Sequence, residues 1–206
     1  MGEVIERFPL FPLGVVLLPT ESVPLHIFEE RYKLMIGECL DGKGEFGIVW
    51  VSDDGLRETG CAARITRLLE QLPDGRMNIL VEGTKPFALR RRIEDLPYPA
   101  GEVELLEDEP DAGESIAGTD ARDRYAELVE SATEERPDPE ELAELGAYAM
   151  AATLDVGLEA KQELLELRSE IRRLERLTGI CEEALVQLER AREVAERARG
   201  NGKGFG

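Results

Sequence analysis

The sequence predicts an α+β chain in which a β-rich half precedes a helical half, and three observations carry that expectation. A proline-punctuated apolar run opens the chain, Phe8-Pro9-Leu10-Phe11-Pro12-Leu13-Gly14-Val15-Val16-Leu17-Leu18-Pro19. Short β-rich segments separated by turn residues fill residues 46–107. Beyond an acidic stretch the apolar spacing changes to a period of 3.6.

Pro9 and Pro12 lack a backbone donor and push the preceding residue toward extended geometry, so the opening run reads as short strands and turns at a sheet edge. Pro24-Leu25-His26-Ile27 follows, and Phe28-Glu29-Glu30-Arg31-Tyr32 starts a helix. Strands are expected at 46–51, 61–69, 77–81, 87–93 and 101–106, with turns at Ser52-Asp53-Asp54-Gly55 and Pro73-Asp74-Gly75. This is the pattern of a small barrel or sandwich. Asp74-Gly75 supplies the positive φ values of a tight hairpin turn. Residues 94–120 hold no Lys or Arg and read as an acidic, solvated connection.

In the helical half, Tyr125, Leu128 and Val129 share one face of a first helix over residues 120–131. Asp138-Pro139-Glu140-Glu141 then combines a cap, a first-turn proline and a capping-box glutamate, which predicts a helix to about Leu154. A longer helix is expected from Leu158 to Leu177 with apolar Leu164, Leu167, Ile171 and Leu174. The register continues through Cys181, Leu185 and Leu188, so Thr178-Gly179 either interrupts a helix pair or softens one long helix. The expected organisation is a β-rich unit at 1–110, an acidic connection at 111–118, a helical bundle at 119–200 and a flexible tail at 201–206.

Composition excludes several function classes. The 206 residues carry 44 acidic against 25 basic side chains, a formal charge of −19. Such a charge repels phosphate backbones and anionic lipid, so nucleic acid and membranes are disfavoured as partners. The 8–18 run is too short and too proline-broken to span a bilayer, and Glu3 and Glu6 flank it where a secretory signal would be basic. Three widely spaced cysteines, Cys39, Cys61 and Cys181, build neither a disulfide framework nor a metal knuckle and read as reduced, buried thiols of a cytoplasmic protein.

Catalytic chemistry is sparse. The sequence has no Gly-x-x-x-x-Gly-Lys-[Ser/Thr] loop to cradle phosphates, and no Ser/Lys pair in a recognisable motif. The sole histidine, His26, lacks a nearby nucleophile other than Ser22 and reads as a hydrogen-bonded structural residue. No metal site or cofactor is expected. Glu29-Glu30 and Asp53-Asp54 read as a helix first turn and a β-turn rather than acid–base pairs. Arg90-Arg91-Arg92 alternates faces on a strand, which favours salt bridges to the protein's own acids.

Several words in this sequence occur together in a known family. They are Phe-Pro-Leu, Phe-Glu-x-Arg-Tyr, Phe46-Gly47-Ile48-Val49, Gly60-Cys61-Ala62-Ala63-Arg64-Ile65, Pro73-Asp74-Gly75-Arg76, Val81-Glu82-Gly83 before Phe87, and Lys161-Gln162-Glu163-Leu164-Leu165-Glu166. In this order they resemble the amino-terminal substrate-binding domain of the Lon protease family, in the form that occurs as a free-standing protein. The match is strong over about the first 110 residues and looser over the helices. Thr20-Glu21 stands where a Pro-Gly turn is usual, and Lys85-Pro86 where an Arg commonly precedes the Phe.

The resemblance implies a PUA-like β-barrel followed by a helical bundle, without the ATPase and the Ser-Lys protease of the full-length enzyme. It implies a non-catalytic module that binds unfolded or extended polypeptide, in a groove between barrel and helices or by strand addition at a proline-opened edge. Aromatic side chains would anchor the chain: Tyr32, Tyr98, Phe28, Trp50 and Phe87 are the candidates. Core packing explains Phe28, Trp50 and Phe87 more simply, whereas Tyr32 and Tyr98, the latter within Pro97-Tyr98-Pro99, are expected at the surface. The alternatives are a scaffold that homodimerises through the Leu164-to-Leu188 stripe and an RNA-binding PUA-like module.

Overall fold

The structure, a computed structural model, describes residues 2–110 and 116–201. Most of the expected acidic connection and of the expected tail lies outside the described residues. Seven strands occur among the described residues, β1 (Val4–Leu13), β2 (Ser22–Ile27), β3 (Phe46–Ser52), β4 (Gly55–Leu56), β5 (Thr59–Gln71), β6 (Met77–Ile93) and β7 (Ala100–Leu105). β1 pairs antiparallel with β7 through residues 4–9 and parallel with β3 through residues 10–13. With β7–β6, β6–β5 and β5–β3 pairings, this closes a barrel in the order β1-β7-β6-β5-β3.

The prolines of β1 therefore lie in a strand that closes the barrel, yet each half of that strand keeps one unpaired side, in keeping with the sheet-edge expectation. Each half of the strand has one partner, so half of its backbone donors point away from a ladder and proline can occupy those places without loss. Nor is β6 two runs: it is a single 17-residue strand through Pro86, whose missing donor coincides with a register shift opposite Cys61. Its first half lies between β2 and the second half of β5, which makes a three-stranded extension of the barrel. The hairpin at Asp74-Gly75 forms as predicted, with Gly75 at φ +82°.

Inside the barrel sit Phe8, Leu10, Val49, Ala62, Phe87 and Val103. Phe87 is fully buried, and a Cβ on Gly47 or Gly60 would stand 2.6 Å from its ring, so these two strand positions are glycine because the ring occupies the space above them. On the outer face, helix α1 (Glu30–Glu38) adds Tyr32, Met35 and Ile36 to a cluster with Ile27, Met77, Ile79 and Val81 of the extension.

The helices that follow are α2 (Ala117–Thr133), α3 (Pro139–Ala143), α4 (Ala147–Ala152), α5 (Leu158–Glu166) and α6 (Glu170–Asn201). Gly118 beside Leu174, Arg124 paired with Glu182 and Arg192 donating to the Ser131 carbonyl place α2 and α6 side by side and parallel. Asp138 caps α3 as expected, accepting from the Glu140 and Glu141 amides.

Two helix expectations fail for a tertiary reason. The helix expected to reach Leu154 breaks at Gly146, because the Glu170 carboxylate caps the Ala147 amide at 2.7 Å and starts α4 anew. The helix expected from Leu158 to Leu177 opens at residues 167–169, where Leu167 is extended at ψ 135°. There the connection docks: the Glu109 amide donates to the Arg168 carbonyl, and Arg168 and Arg173 reach back to the Glu107 carbonyl and to Asp108. The start of the acidic connection is thus tied to the helices by hydrogen bonds while residues 107–110 stay exposed. Thr178-Gly179 interrupts nothing, since α6 is continuous across it.

Leu174 and Cys181 are buried, with Ile171 and Leu185 packed on the same core, so the apolar stripe is used within the chain.

Candidate functional site

Strand alternation sorts β2 into two faces. Val23, Leu25 and Ile27 turn toward the core, while Ser22, Pro24 and His26 are exposed. Phe28 continues the exposed series just before α1 and is 59% exposed. Among the described residues it is the only phenylalanine at the surface, where the sequence reading placed it in the core. Its exposure follows from position: it is the last residue of the outward face before the chain turns into the helix. The Phe28 ring stacks on His26 with centroids 5.8 Å apart.

His26 is held in turn. Its Nδ1 lies 2.6 Å from Asn78 Oδ1, and the Asn78 amide donates to Glu70 Oε2 at 2.8 Å. Because the amide nitrogen is committed to Glu70, the oxygen faces His26 and the network assigns a proton to Nδ1. A chain of polar contacts thus crosses β2, β6 and β5 and fixes the platform on which Phe28 lies. Beside it runs a shallow groove of about 620 Å³ lined by Pro24, Leu25, His26, Leu69, Glu70 and Asn78. Leu69 is 44% exposed.

The other aromatic candidates are elsewhere. Trp50 is buried with the Arg57 guanidinium 5.2 Å above its ring, and Phe87 fills the barrel edge-on to Phe8. Both are core residues, as the simpler reading held. Tyr32 and Tyr98 are not at the surface but buried, at 5% and 8% exposure. Tyr32 packs against Phe11 with centroids 4.1 Å apart beneath the Arg31 guanidinium, and burial raises its pKa. The Tyr98 ring, between two prolines, turns inward, where its hydroxyl donates to Glu38 at 2.8 Å; burial and then Glu38 push its pKa up to about 12.

Tyr98 nonetheless forms the wall of an apolar notch of about 410 Å³, with Pro12, Leu56 and Leu96 on other sides and Arg31 and Arg92 among its lining residues. The junction of barrel and helices is crossed by polar contacts. Gln162 of α5 donates to the Thr59 carbonyl, Lys161 pairs with Glu21, and the opening left beside them is lined by Leu56, Arg57, Glu58, Thr59 and Glu166. Arg90 and Arg91 pair with Glu104 and Glu102, the protein's own acids as expected, but the bulge between Leu89 and Arg91 sets both against one face of β7 instead of alternating them.

Sequence reasoning missed Leu69, Asn78 and the notch. The alternation Ser22/Pro24/His26/Phe28 was available as a signal for the exposed aromatic. Among the described residues no group of three or more His, Cys, Asp or Glu is arranged to hold a metal ion, and no helix is long and apolar enough to cross a membrane. Cys61 and Cys181 are buried, Cys39 is half-buried, and none is paired.

The profile of the ATP-dependent protease La (LON) substrate-binding domain matches residues 7–183. The chain belongs to the Lon substrate-binding domain family. Lon protease of Trichlorobacter lovleyi is 28% identical over 195 residues, 85% of this chain and 24% of that protein. Lon protease of Parabacteroides distasonis is 32% identical over 112 residues, 50% of this chain and 14% of that protein. The chain thus spans about a quarter or less of the length of these relatives. The Lon N-terminal domain protein from Xanthomonas campestris has 27% identity and a TM-score of 0.66, over 85% of this chain and 98% of that one. The N-terminal domain of Mycobacterium avium complex Lon protease, at 19% identity and TM-score 0.62 over 87% of this chain and 98% of that one, shares the fold. The Lon-type fold predicted from the sequence is therefore the observed one.

Proposed function

We propose that this Lon-family domain is a non-catalytic polypeptide-recognition module that captures extended, apolar segments on the platform of Phe28, His26 and Leu69. The observation that carries the reading is the exposure of Phe28. A phenylalanine more than half in water is costly to maintain, and here it is stacked, oriented and set beside a groove with Pro24, Leu25 and Leu69 in its lining on a three-stranded sheet. Apolar contact with an exposed aromatic recognises side-chain character without demanding a sequence, which suits unfolded clients. The unpaired thiols fit a reducing, cytoplasmic setting.

The test is titration of a fluorescently labelled unfolded protein, followed by anisotropy, against its native form. The unfolded client binds more tightly, moderate salt leaves the difference in place, and Phe28→Ala weakens binding by on the order of 1–2 kcal/mol with the circular dichroism spectrum unchanged. Equal affinity for the two forms, or indifference to Phe28→Ala, sinks the platform. The purified chain should neither hydrolyse ATP nor cleave that client; activity that tracks a residue of this chain through mutation would overturn the non-catalytic part.

A further inference from the structure

We infer that the apolar notch walled by Tyr98 is a second subsite, which receives the carboxyl-terminal residue of a polypeptide when that residue is apolar. The inference rests on the polypeptide-binding reading and names a ligand end that the Phe28 platform does not distinguish.

Three features of the notch converge on that ligand. Its walls, Pro12, Leu56, Leu96 and the Tyr98 ring, are apolar, and the one hydroxyl among them is already committed to Glu38, so nothing in the wall asks for a polar side chain. Two arginines, Arg31 and Arg92, are among its lining residues. Arg31 is fixed over the Tyr32 ring at 4.6 Å and by Glu29, with half of its side chain still in solvent. Arg92 is exposed and makes no ion pair with a described residue, although the chain carries a net charge of −19. Glu94 is the one carboxylate among the lining residues and Glu29 is paired with Arg31, so Arg92 is the cation left to meet an anion at the rim.

An apolar pocket with a cationic rim is complementary to a group that joins an apolar side chain to a carboxylate within a few bonds. In a polypeptide the terminal residue has that structure, with its side chain and its α-carboxylate on one carbon. An internal Asp or Glu places its charge on a separate side chain from the apolar one. The notch volume, near the lower end of the range for small-ligand sites, suits one residue rather than a long segment. Arg31 stands on the first turn of α1 and Phe28 lies just before its N-cap, Glu29, so platform and notch flank the same helix start.

The test uses three labelled peptides of one sequence, ending in Leu as the free acid, ending in Leu as the amide, and ending in Leu amide with an internal Asp beside an internal Leu. Anisotropy is read with the wild-type chain, Arg92→Gln and Phe28→Ala. The free acid binds about tenfold more tightly than either amide to the wild type, and Arg92→Gln abolishes that preference while leaving the fold intact. Phe28→Ala lowers affinity for an unfolded client but keeps the acid-over-amide ratio.

Equal binding of acid and amide overturns the subsite, as does a ratio that survives in Arg92→Gln. Equal binding of the acid and the internal-Asp peptide overturns its restriction to chain ends. If unfolded client still binds through Phe28 in those cases, the platform stands and only the notch has failed. If neither peptides nor client bind, both readings fall together.

Discussion

Arg173 offers the most demanding test of how the helices are fastened to the barrel. Its residue exposure is 3%, and it reaches four partners: both oxygens of Asp108, the Glu170 carboxylate, the Leu167 carbonyl at 2.9 Å and the face of Tyr148 at 4.4 Å. Asp108 lies in the segment just after β7, and Leu167 in the break between α5 and α6, so one side chain ties the end of the barrel to the bundle. Arg173→Met keeps the apolar volume and removes the donors. Breaking a buried pair from one side costs about 3–5 kcal/mol. Asp108 and Glu170 are 45% and 36% exposed at the side chain, so water can recover part of their solvation. The lower figure, about 3 kcal/mol, is therefore the expectation, equivalent to about 6–12 °C in Tm for a chain of this size.

Urea and thermal unfolding by circular dichroism measure it. A loss below about 1 kcal/mol, the value of a surface pair, would mean that Arg173 does not fasten the two parts. The same contact has a pH signature. The hydrogen bond from Arg173 holds the Asp108 carboxyl below the usual aspartate range, with the Arg173 charge adding to it. A depressed carboxylate contributes stability that is present above its unfolded pKa of about 3.9 and is lost as pH falls through the lower folded value. Acid destabilisation below about pH 4 should therefore be shallower in Asp108→Asn than in the wild type.

Gly60→Ala would place a methyl 2.6 Å from both the Ile48 carbonyl oxygen and the Phe87 ring, and since the former is backbone it should cost about 1–3 kcal/mol in urea unfolding; a neutral result would show that the barrel wall yields there. Pro24→Thr should give β2 an outward-facing amide and raise self-association, read by size-exclusion chromatography across a concentration series. A monomer at every concentration would mean that the outer edge of β2 is shielded by something other than its proline.

Legibility in the sequence followed the range of the interactions. Local chemistry was readable: the Asp74-Gly75 turn, the Asp138-Pro139 cap, and the preference of Arg90 and Arg91 for the protein's own acids. The breaks at Gly146 and at 167–169 were not, because what decides them is a carboxylate and a connector brought in from residues 23 and about 60 positions away. Phe28, Tyr32 and Tyr98 were misplaced for a related reason. Aromatic character signals that a ring is buried or is an anchor, but which of the two depends on face. For Phe28 the face was legible in the Ser22/Pro24/His26 series, whereas the inward turn of Tyr98 depends on Glu38, sixty residues earlier.

The closed barrel constrains how a polypeptide can be held. Five strands close on one another, and outside the barrel the free backbone edges among the described residues belong to the extension, at β2 and the second half of β5, and to the two-residue β4. Both long edges are blunted. The Glu21 carbonyl accepts from the Gly83 amide, and the alternation that follows turns the backbone of Ser22, Pro24 and His26 outward, where Pro24 has no N–H to give. On β5, register shifts at residues 65–67 and 68–70 bend the strand, and Arg64 and Arg67 put charge along it. A ladder of main-chain bonds to an added strand is thus disfavoured on either side. What the extension does present to a client is side chains, the Phe28–His26 stack and Leu69 across from it, and these reward apolar content over backbone geometry. That is the property expected of a surface that meets unfolded chains of many sequences while avoiding β-sheet growth with its own copies.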